Sequence, residues 1–336
     1  MLIGRSGSAV AFALAGVGVW ALAYGPIVGL LIQTLLYLHL SGYWPRLRFS
    51  RSFLASSWRA SGGHFGNGIL FYINANLDTF LIGRSLGAAA LGIYQNAKSL
   101  TDEIRVRMAQ PLQRVLFPAF AAIQTEHDRF RRGILRSARL LSFLFIPIGF
   151  GMAAEAETLV RILYGEQWLA MIPLLQLTAF ATGFSATTSI ANAIFNAKNQ
   201  IALSFKLFAL STAFSALFII VGSQWGLMGV VWARLALVPV GLAFFWFALR
   251  LVDLGLADIV RLIGAPVVAA VLMYAFMRST SSVIAGHIET LALHLLVQIA
   301  CGTATYLLMM RVLAPEHVRE VCDVIQSVLC RPRSAG

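Results

Sequence analysis

Residues 201–250 read IALSFKLFALSTAFSALFIIVGSQWGLMGVVWARLALVPVGLAFFWFALR. The segments 201–221 and 229–249 are apolar runs, each broken by one cation, Lys206 and Arg234 respectively. A helix of about twenty apolar residues rises about 30 Å, the thickness of a bilayer's hydrocarbon core. Strands of a membrane barrel would instead be pieces of about ten residues with alternating polarity. Neither run alternates, so the stretch reads as two membrane helices. A Gly-rich turn joins them, Gly226-Leu-Met-Gly229-Val-Val-Trp232-Ala233, with Trp at the membrane interface.

Read outward from there, the segments 21–41, 136–155, 169–192, 259–277 and 290–312 have the same character. Two more, 62–83 and 88–119, carry internal charges, and 6–18 is a short stub. The expected fold class is all-α, a polytopic membrane helix bundle of about ten transmembrane helices. Composition agrees: 59% of residues are hydrophobic and 12% charged, and mean hydropathy is +0.78. A soluble domain carries about twice that charge density. The net charge of +12 does not point to nucleic acid, because the Arg residues sit between apolar runs and form no stripe with base-stacking aromatics. Membrane lipids are the expected surroundings. The apolar stretch that follows Arg5 continues to Leu40, too long for a signal-peptide core, and no small-residue cleavage site follows it. Cys301, Cys322 and Cys330 show no CxxC and no His at metal-ligand spacing, and read as apolar fillers or free thiols.

Cytoplasmic loops accumulate Lys and Arg, which sets orientation. Arg46, Arg48, Arg51 and Arg59 lie in 43–59, and Arg129, Arg131, Arg132, Arg136 and Arg139 in 121–139. Lys198, Lys206, Arg250, Arg261, Arg311, Arg319, Arg331 and Arg333 follow on alternate loops, making seventeen, against Arg84, Arg161 and Arg278 between them. This predicts a cytoplasmic C-terminus. It also constrains the charged pair: 62–83 and 88–119 both cross, or neither does and 43–135 is one cytoplasmic insert. Glu155, Glu157 and Glu166 read as acids at the outer edge.

The turn Gly16-Val-Gly18-Val-Trp20-Ala21 resembles the one at Gly226–Ala233, an offset of 211 to 212 residues. Both fall on the outer side in this topology, as a parallel repeat about an axis normal to the membrane requires. About six helices lead up to the second turn and only a stub precedes the first. Roughly 150 residues of a matching first half are missing if the copies are equal in length. The expectation is an N-terminally truncated transporter, with further apolar helices encoded upstream of Met1.

Ionisable groups at mid-bilayer are expensive, about 2.5 to 3.5 kcal/mol on insertion scales, and usually face a polar cavity or a partner. On a helix over 88–119, Lys98, Asp102 and Arg105 share one face, and Asn96, Glu103, Arg107, Gln110 and Arg114 the opposite one. Two polar faces cannot both meet lipid. One is expected to line an aqueous cavity, the other to pack on neighbours or to lie near the cytoplasmic end, where long Arg side chains snorkel. In 62–83, His64, Asn67, Phe71, Asn74 and Asp78 form one stripe. Asp78 can neutralise Lys98 or Arg105 across the pair, either as a plain structural ion pair or as part of a site. Four basic residues face two acidic ones in 88–119, and a net-positive cavity calls for an anionic ligand. The candidate substrate-binding residues are Asn74, Asp78, Lys98, Arg105, Arg107 and Arg114. Arg234 either anchors its turn at the headgroups or extends the cationic surface. Pro111, Pro118, Pro147, Pro173 and Pro239 break apolar helices and supply bends.

The six His lack HxxxH and HExxH spacing, and neither a Walker A sequence nor GxSxG is present. Gly83–Gly92 (GRSLGAAALG) sits between helices and not after a strand. No cofactor, no resident metal and no catalytic activity are expected.

Three segments carry a family resemblance. They are Asn76-Leu-Asp78-Thr-Phe-Leu-Ile-Gly83-Arg-Ser-Leu-Gly87-Ala-Ala-Ala-Leu-Gly92-Ile-Tyr94, Phe117-Pro118-Ala-Phe120 with the Arg-rich 129–139, and Leu159-Val-Arg-Ile-Leu-Tyr-Gly165-Glu-Gln-Trp168 with Pro173-Leu-Leu-Gln176. They resemble the polysaccharide flippases of the multidrug/oligosaccharidyl-lipid/polysaccharide exporter superfamily, over about residues 8–312. The resemblance implies two six-helix lobes around a central cationic cavity, alternating access, and an undecaprenyl-diphosphate-linked oligosaccharide as substrate in exopolysaccharide, O-antigen or capsule synthesis at a bacterial inner membrane. It implies polysaccharide polymerase and chain-length machinery as further partners. Carried over by position, Asn74, Asp78, Lys98 and Arg105 would line the second lobe's cavity. The implied divisions are an incomplete first lobe at 1–42 holding its last two helices, a basic cytoplasmic linker at 43–59, a six-helix second lobe at 60–250, two extra helices at 251–312 and a cytoplasmic tail at 313–336.

Other readings stay open on sequence alone. A multidrug exporter should show an acidic surplus in its helices, where this chain has a basic one, and a peptidoglycan-precursor flippase shares the superfamily. A membrane glycan polymerase or ligase needs a large outer loop, whereas the longest outer loops here, 156–168 and 278–289, are about a dozen residues. An inactive remnant of a longer gene is the last alternative.

Overall fold

A computed structural model describes residues 2–16, 18–42, 50–123, 126–286 and 290–321. Among these residues the regular structure is helical throughout. Residues 43–49 of the linker expected at 43–59, and Cys322, Cys330, Arg331 and Arg333, lie outside the described residues, whereas that linker is helical from Arg51 on; Cys301 is a free thiol.

The chain divides into two compact units, Met1–Ala60 and Ser61–Gly336. In the first, α1 (Leu2–Leu14) and α2 (Ala21–Ser41) pair through a turn in which Gly16 and Gly18 take left-handed backbone angles. The Ser8 hydroxyl donates to Gly25 O at 2.7 Å, and Trp20 stacks on Tyr24. Leu31, Leu35 and Leu40 of α2 are exposed, the pattern of a helix that faces hydrocarbon.

Helix α3 (Arg51–Ile123), which from Ser61 on belongs to the second unit, is two helices joined at Gly87, whose φ of 84° and ψ of 175° are non-helical. The chain doubles back there: Lys98 Nζ donates to Ala75 O at 2.9 Å, and Ile82 and Tyr94 share one core. Neither arm can therefore cross a membrane without the other. The first arm runs beside α8 (Ile201–Ser223), with Phe71 stacked on Phe208 and Asn74 bonded to Thr212.

The helices α4 (His127–Ala154), α5 (Ala156–Leu163), α6 (Ile172–Thr188), α7 (Ile190–Ala197), α9 (Gly226–Ala236), α10 (Val238–Arg250), α11 (Leu256–Ala285) and α12 (Leu291–Leu313) complete the unit. Pro173 and Pro239 stand in the first turns of α6 and α10, where the missing N–H is an orphan in any case. Backbones approach closely where Gly allows. A Cβ added to Gly149 of α4 would lie 2.6 Å from Ala179 O of α6, the small-residue packing that membrane helices use in place of a hydrophobic drive. Tyr306 of α12 donates to Phe143 O at 2.9 Å and Ser142 to Leu262 O at 3.0 Å, which ties α12 and α11 to α4.

Among the described residues, seven helical segments are long and apolar enough to span a bilayer: Ala23–Ser41, His127–Ala154, Glu166–Ala197, Ile201–Ser223, Gly226–Arg250, Leu256–Ala285 and Leu291–Leu313. The chain is a multi-pass membrane protein. The expected count of about ten includes three segments outside these seven: α1, which has 13 residues, and the two arms of α3.

Candidate functional site

Asp78 occupies the first arm of α3, one turn beyond Asn74. Its side chain is 1% exposed, and a carboxylate so placed is tolerable only when surrounded by donors. Four groups supply them. Lys98 Nζ lies 2.9 Å from both Oδ1 and Oδ2. The Tyr94 hydroxyl donates to Oδ2 at 2.5 Å, and the Thr79 N–H to Oδ1 at 2.8 Å. Arg234 of α9 donates through Nη1 to Oδ2 and also to the Tyr94 oxygen, the latter at 2.9 Å.

The hairpin turn at Gly87 creates this cluster, since it sets the second arm beside the first and brings residues 94 and 98 opposite 78. Tyr94 and Lys98 are one helical turn apart and point the same way. Asp78 thus meets Lys98, as the sequence allowed, and not Arg105. Arg105 bonds Asp102 within its own helix, Nε and Nη2 lying 3.2 Å and 3.1 Å from Oδ1. It also borders a cleft between α3, α4 and α6, lined by Thr101, Gly149, Met152 and Thr182, with room of about 10 Å³, close to that of one water. Arg107 pairs with Glu103 at 2.5 Å on an exposed part of the helix, away from Lys98. Arg114 lies on α3, and its side chain is outside the described residues, as are those of His64 and Asn67. Asn74 donates to Thr212 Oγ1 at 3.0 Å, which fixes α3 to α8.

Two members of the cluster were not singled out as site residues. Tyr94 carries a signal in its i,i+4 spacing to Lys98. Arg234 is 156 positions away from Asp78 in sequence, and the choice between headgroup anchor and cationic surface resolves here to the interior. The surplus of positive charge has also moved. Arg105 and Arg107 are matched by neighbours one turn away, whereas Lys98 and Arg234 share the single carboxylate of Asp78, leaving one net positive charge. Their side chains keep 14% and 34% exposure, so neither cation is fully enclosed.

The other ends of the helices sort by charge. His127 approaches Asp253, Lys198 lies over the Phe130 ring and Arg139 bonds Glu320, so the Arg-rich start of α4, the end of α7, the end of α10 and the segment after α12 share one end of the bundle. At the opposite end Arg161 bonds Glu157 and Glu166, and Glu155 approaches His294. Glu155 lies at this end with Glu157 and Glu166, but unlike them it is buried, 3% exposed.

The chain resembles the lipopolysaccharide biosynthesis protein WzxC of Escherichia coli K12, with 28% identity over 218 residues, 63% of this chain and 44% of that protein. It resembles the succinoglycan biosynthesis transport protein ExoT of Rhizobium meliloti, with 24% identity over 330 residues, 98% of this chain and 67% of that protein. The teichuronic acid biosynthesis protein TuaB of Bacillus subtilis is 34% identical over 107 residues, 32% of this chain and 22% of that one. The chain therefore spans less than half the length of WzxC and two thirds of that of ExoT. Among solved structures, the lipid II flippase MurJ in an inward closed conformation superposes with a TM-score of 0.76 at 13% identity, over 94% of this chain and 67% of that one, so the two share a fold. The profile of the polysaccharide biosynthesis protein family matches residues 1–173, more than half of the 336, and the chain belongs to that family.

Proposed function

We propose that this chain serves to flip an undecaprenyl-diphosphate-linked oligosaccharide across a bacterial inner membrane for polysaccharide biosynthesis, acting as a transporter and not as an enzyme. One observation carries the reading: Lys98 and Arg234 share the buried carboxylate of Asp78 and retain partial exposure. A diphosphate is an acceptor of the same chemistry as Asp78, with more oxygens and more charge. A cation about 4 Å from an anion gains up to roughly 4 kcal/mol before desolvation at an effective dielectric of 20. Entry of the headgroup draws Lys98 and Arg234 partly off Asp78, and their return to Asp78 helps release it on the far side. The lipid tail stays in hydrocarbon while the headgroup swings through the cavity.

In this reading residues 60–250 form one six-helix lobe, 1–42 belongs to the other, 251–312 adds two helices outside the pair, and 43–59 and the tail from 313 lie in the cytoplasm. Asn74, Arg105, Arg107 and Arg114 are secondary lining residues, and polymerase and chain-length machinery take up the flipped product. A second reading keeps the diphosphate and changes the sugar: a peptidoglycan precursor, favoured by the likeness of fold to the lipid II flippase.

The test is reconstitution in vesicles with fluorescent lipid-diphosphate oligosaccharide on one arm and lipid II on the other, scored by loss of protection from an external quencher. The triple variant Asp78→Asn, Lys98→Gln, Arg234→Gln, which leaves no charge in the cluster, should lower flipping of the oligosaccharide lipid about tenfold or more, the equivalent of one lost charge-assisted contact. Unchanged flipping in a folded triple variant would refute the role of the cluster, and faster flipping of lipid II by the unmodified chain would select the second reading.

A further inference from the structure

The buried polar groups include one ionisable pair that the Asp78 cluster does not use. Glu155 closes α4, and His294 lies in the first turn of α12. They are 3% and 5% exposed. His294 Nε2 lies 3.7 Å from Glu155 Oε2, within reach of an ion pair and just beyond a hydrogen bond. Thr158 of α5 donates to the same Oε2 at 2.8 Å. Glu155 Oε1 is buried with no hydrogen-bond partner among the described residues.

Among the described residues no other charged side chain bonds the pair; His287 and Glu289, just before α12, lie outside the described residues. On α5 and the 3-10 turn after it, Glu157 and Glu166 both bond Arg161. On α11, Arg278 is exposed, and Tyr274 packs its ring on Phe150 and Phe180. Helix α6 has no ionisable side chain, that of α4 nearest to Glu155 is Arg139, sixteen residues back, and beyond His294 α12 offers Cys301, Tyr306 and Arg311.

We propose that Glu155 and His294 form a proton-binding site at the acidic end of the bundle, which holds α12 against α4 and α5 when it carries one proton. The proton balance is simple. With one proton the pair is neutral overall, either as carboxylate with imidazolium or as carboxylic acid with imidazole. A second proton leaves a buried imidazolium facing an uncharged acid, and removal of the first leaves a buried carboxylate facing a neutral ring. An uncompensated buried charge is far costlier than a paired one, and the two steps belong to the pair and not to either residue. Proton uptake from the water on that side is thereby coupled to the seating of α12, independently of what the Asp78 cluster carries.

The experiment follows amide exchange of residues 295–302 in the chain held in lipid nanodiscs, from about pH 5 to about pH 9, corrected for the intrinsic dependence of exchange on pH. Protection in the unmodified chain should peak at intermediate pH and fall about tenfold or more on each side, since each limb uncovers one buried charge. His294→Gln should lose the acid limb and keep the alkaline one, and Glu155→Gln should do the reverse. The double variant should be flat. A flat profile in the unmodified chain overturns the proposal without any variant. It is equally overturned if either single variant retains both limbs, a comparison that stands even if the double variant fails to fold.

Discussion

Asp78 decides how its neighbourhood holds together, because two cations depend on one carboxylate. In Asp78→Asn the side chain keeps its shape and loses its charge, so Lys98 and Arg234 are left partly buried beside a neutral amide. Breaking a buried pair from the side of the shared partner costs about 3–5 kcal/mol, a large fraction of the stability of any fold. Lys98→Gln is different, because Arg234 and the Tyr94 hydroxyl still neutralise and solvate Asp78. We therefore expect Asp78→Asn to lower the thermal midpoint of the protein in nanodiscs well below that of Lys98→Gln. Tryptophan fluorescence on heating measures both. Equal midpoints would show that the carboxylate is no more important than Lys98. The pairing of Asp78 with Lys98 was one of two that the sequence left open, since Lys98 and Arg105 share a face of the second arm and only tertiary packing chooses between them. The place of Arg234 was not readable either, because nothing local in residues 226–236 tells whether its side chain turns to headgroups or inward; tertiary packing makes that choice.

At the scale of the element, close helix approach is set by residues without side chains. Gly149 meets the backbone of α6, so Gly149→Ala must push α4 and α6 apart, and overpacking of this kind costs about 1–3 kcal/mol. Gly92 is the control: it lies in the second arm of α3 with nothing within 4 Å of an added Cβ. Gly92→Ala should leave the midpoint unchanged or raise it slightly, by the better helix propensity of Ala, while Gly149→Ala should lower it. A thermal midpoint measured on both variants checks this, and equal effects would discount the close approach. Helix positions themselves were legible, as 21–41 coincides with α2 and 201–221 differs from α8 by two residues at one end. The apolar runs leave no other way to satisfy backbone groups in hydrocarbon. What the runs could not express is where a helix ends inside one apolar stretch. Expected 169–192 is two helices meeting at Ser189, and 229–249 is α9 and α10 meeting at Leu237. Neither junction changes the hydropathy. The turn of α3 at Gly87 was foreshadowed by the gap between 62–83 and 88–119, because a Gly with open space around it and φ of 84° is where the chain reverses at little steric expense.

For the molecule as a whole, the distribution of basic residues and the directions of the helices are two independent observations of the second unit, and they agree. The first arm of α3 runs parallel to α8, since Phe71 meets Phe208 and Asn74 meets Thr212 in the same order. Helix α12 runs antiparallel to α4, since Glu155 meets His294, Phe143 meets Tyr306 and Arg139 meets Glu320 in opposite order. These directions place Arg129, Lys198, Arg250 and Arg319 at one end of the bundle and Arg161 with its two glutamates at the other. Membrane insertion retains Lys and Arg on the cytoplasmic side, and we therefore predict that the two ends face different compartments, with the basic one in the cytoplasm. The prediction uses a variant with Cys301, Cys322 and Cys330 replaced by Ser, and single cysteines introduced as Glu126→Cys, Gln167→Cys and Arg319→Cys. In intact cells an impermeant maleimide should label position 167 and leave 126 and 319 unlabelled until the membrane is opened. Labelling of 126 with 319 protected would break the shared end, and would remove the antiparallel relation of α4 and α12 on which the buried Glu155–His294 contact depends. Labelling of both from outside, with 167 protected, would keep the bundle and invert it, so that the headgroup would have to meet the Asp78 cluster from the opposite compartment.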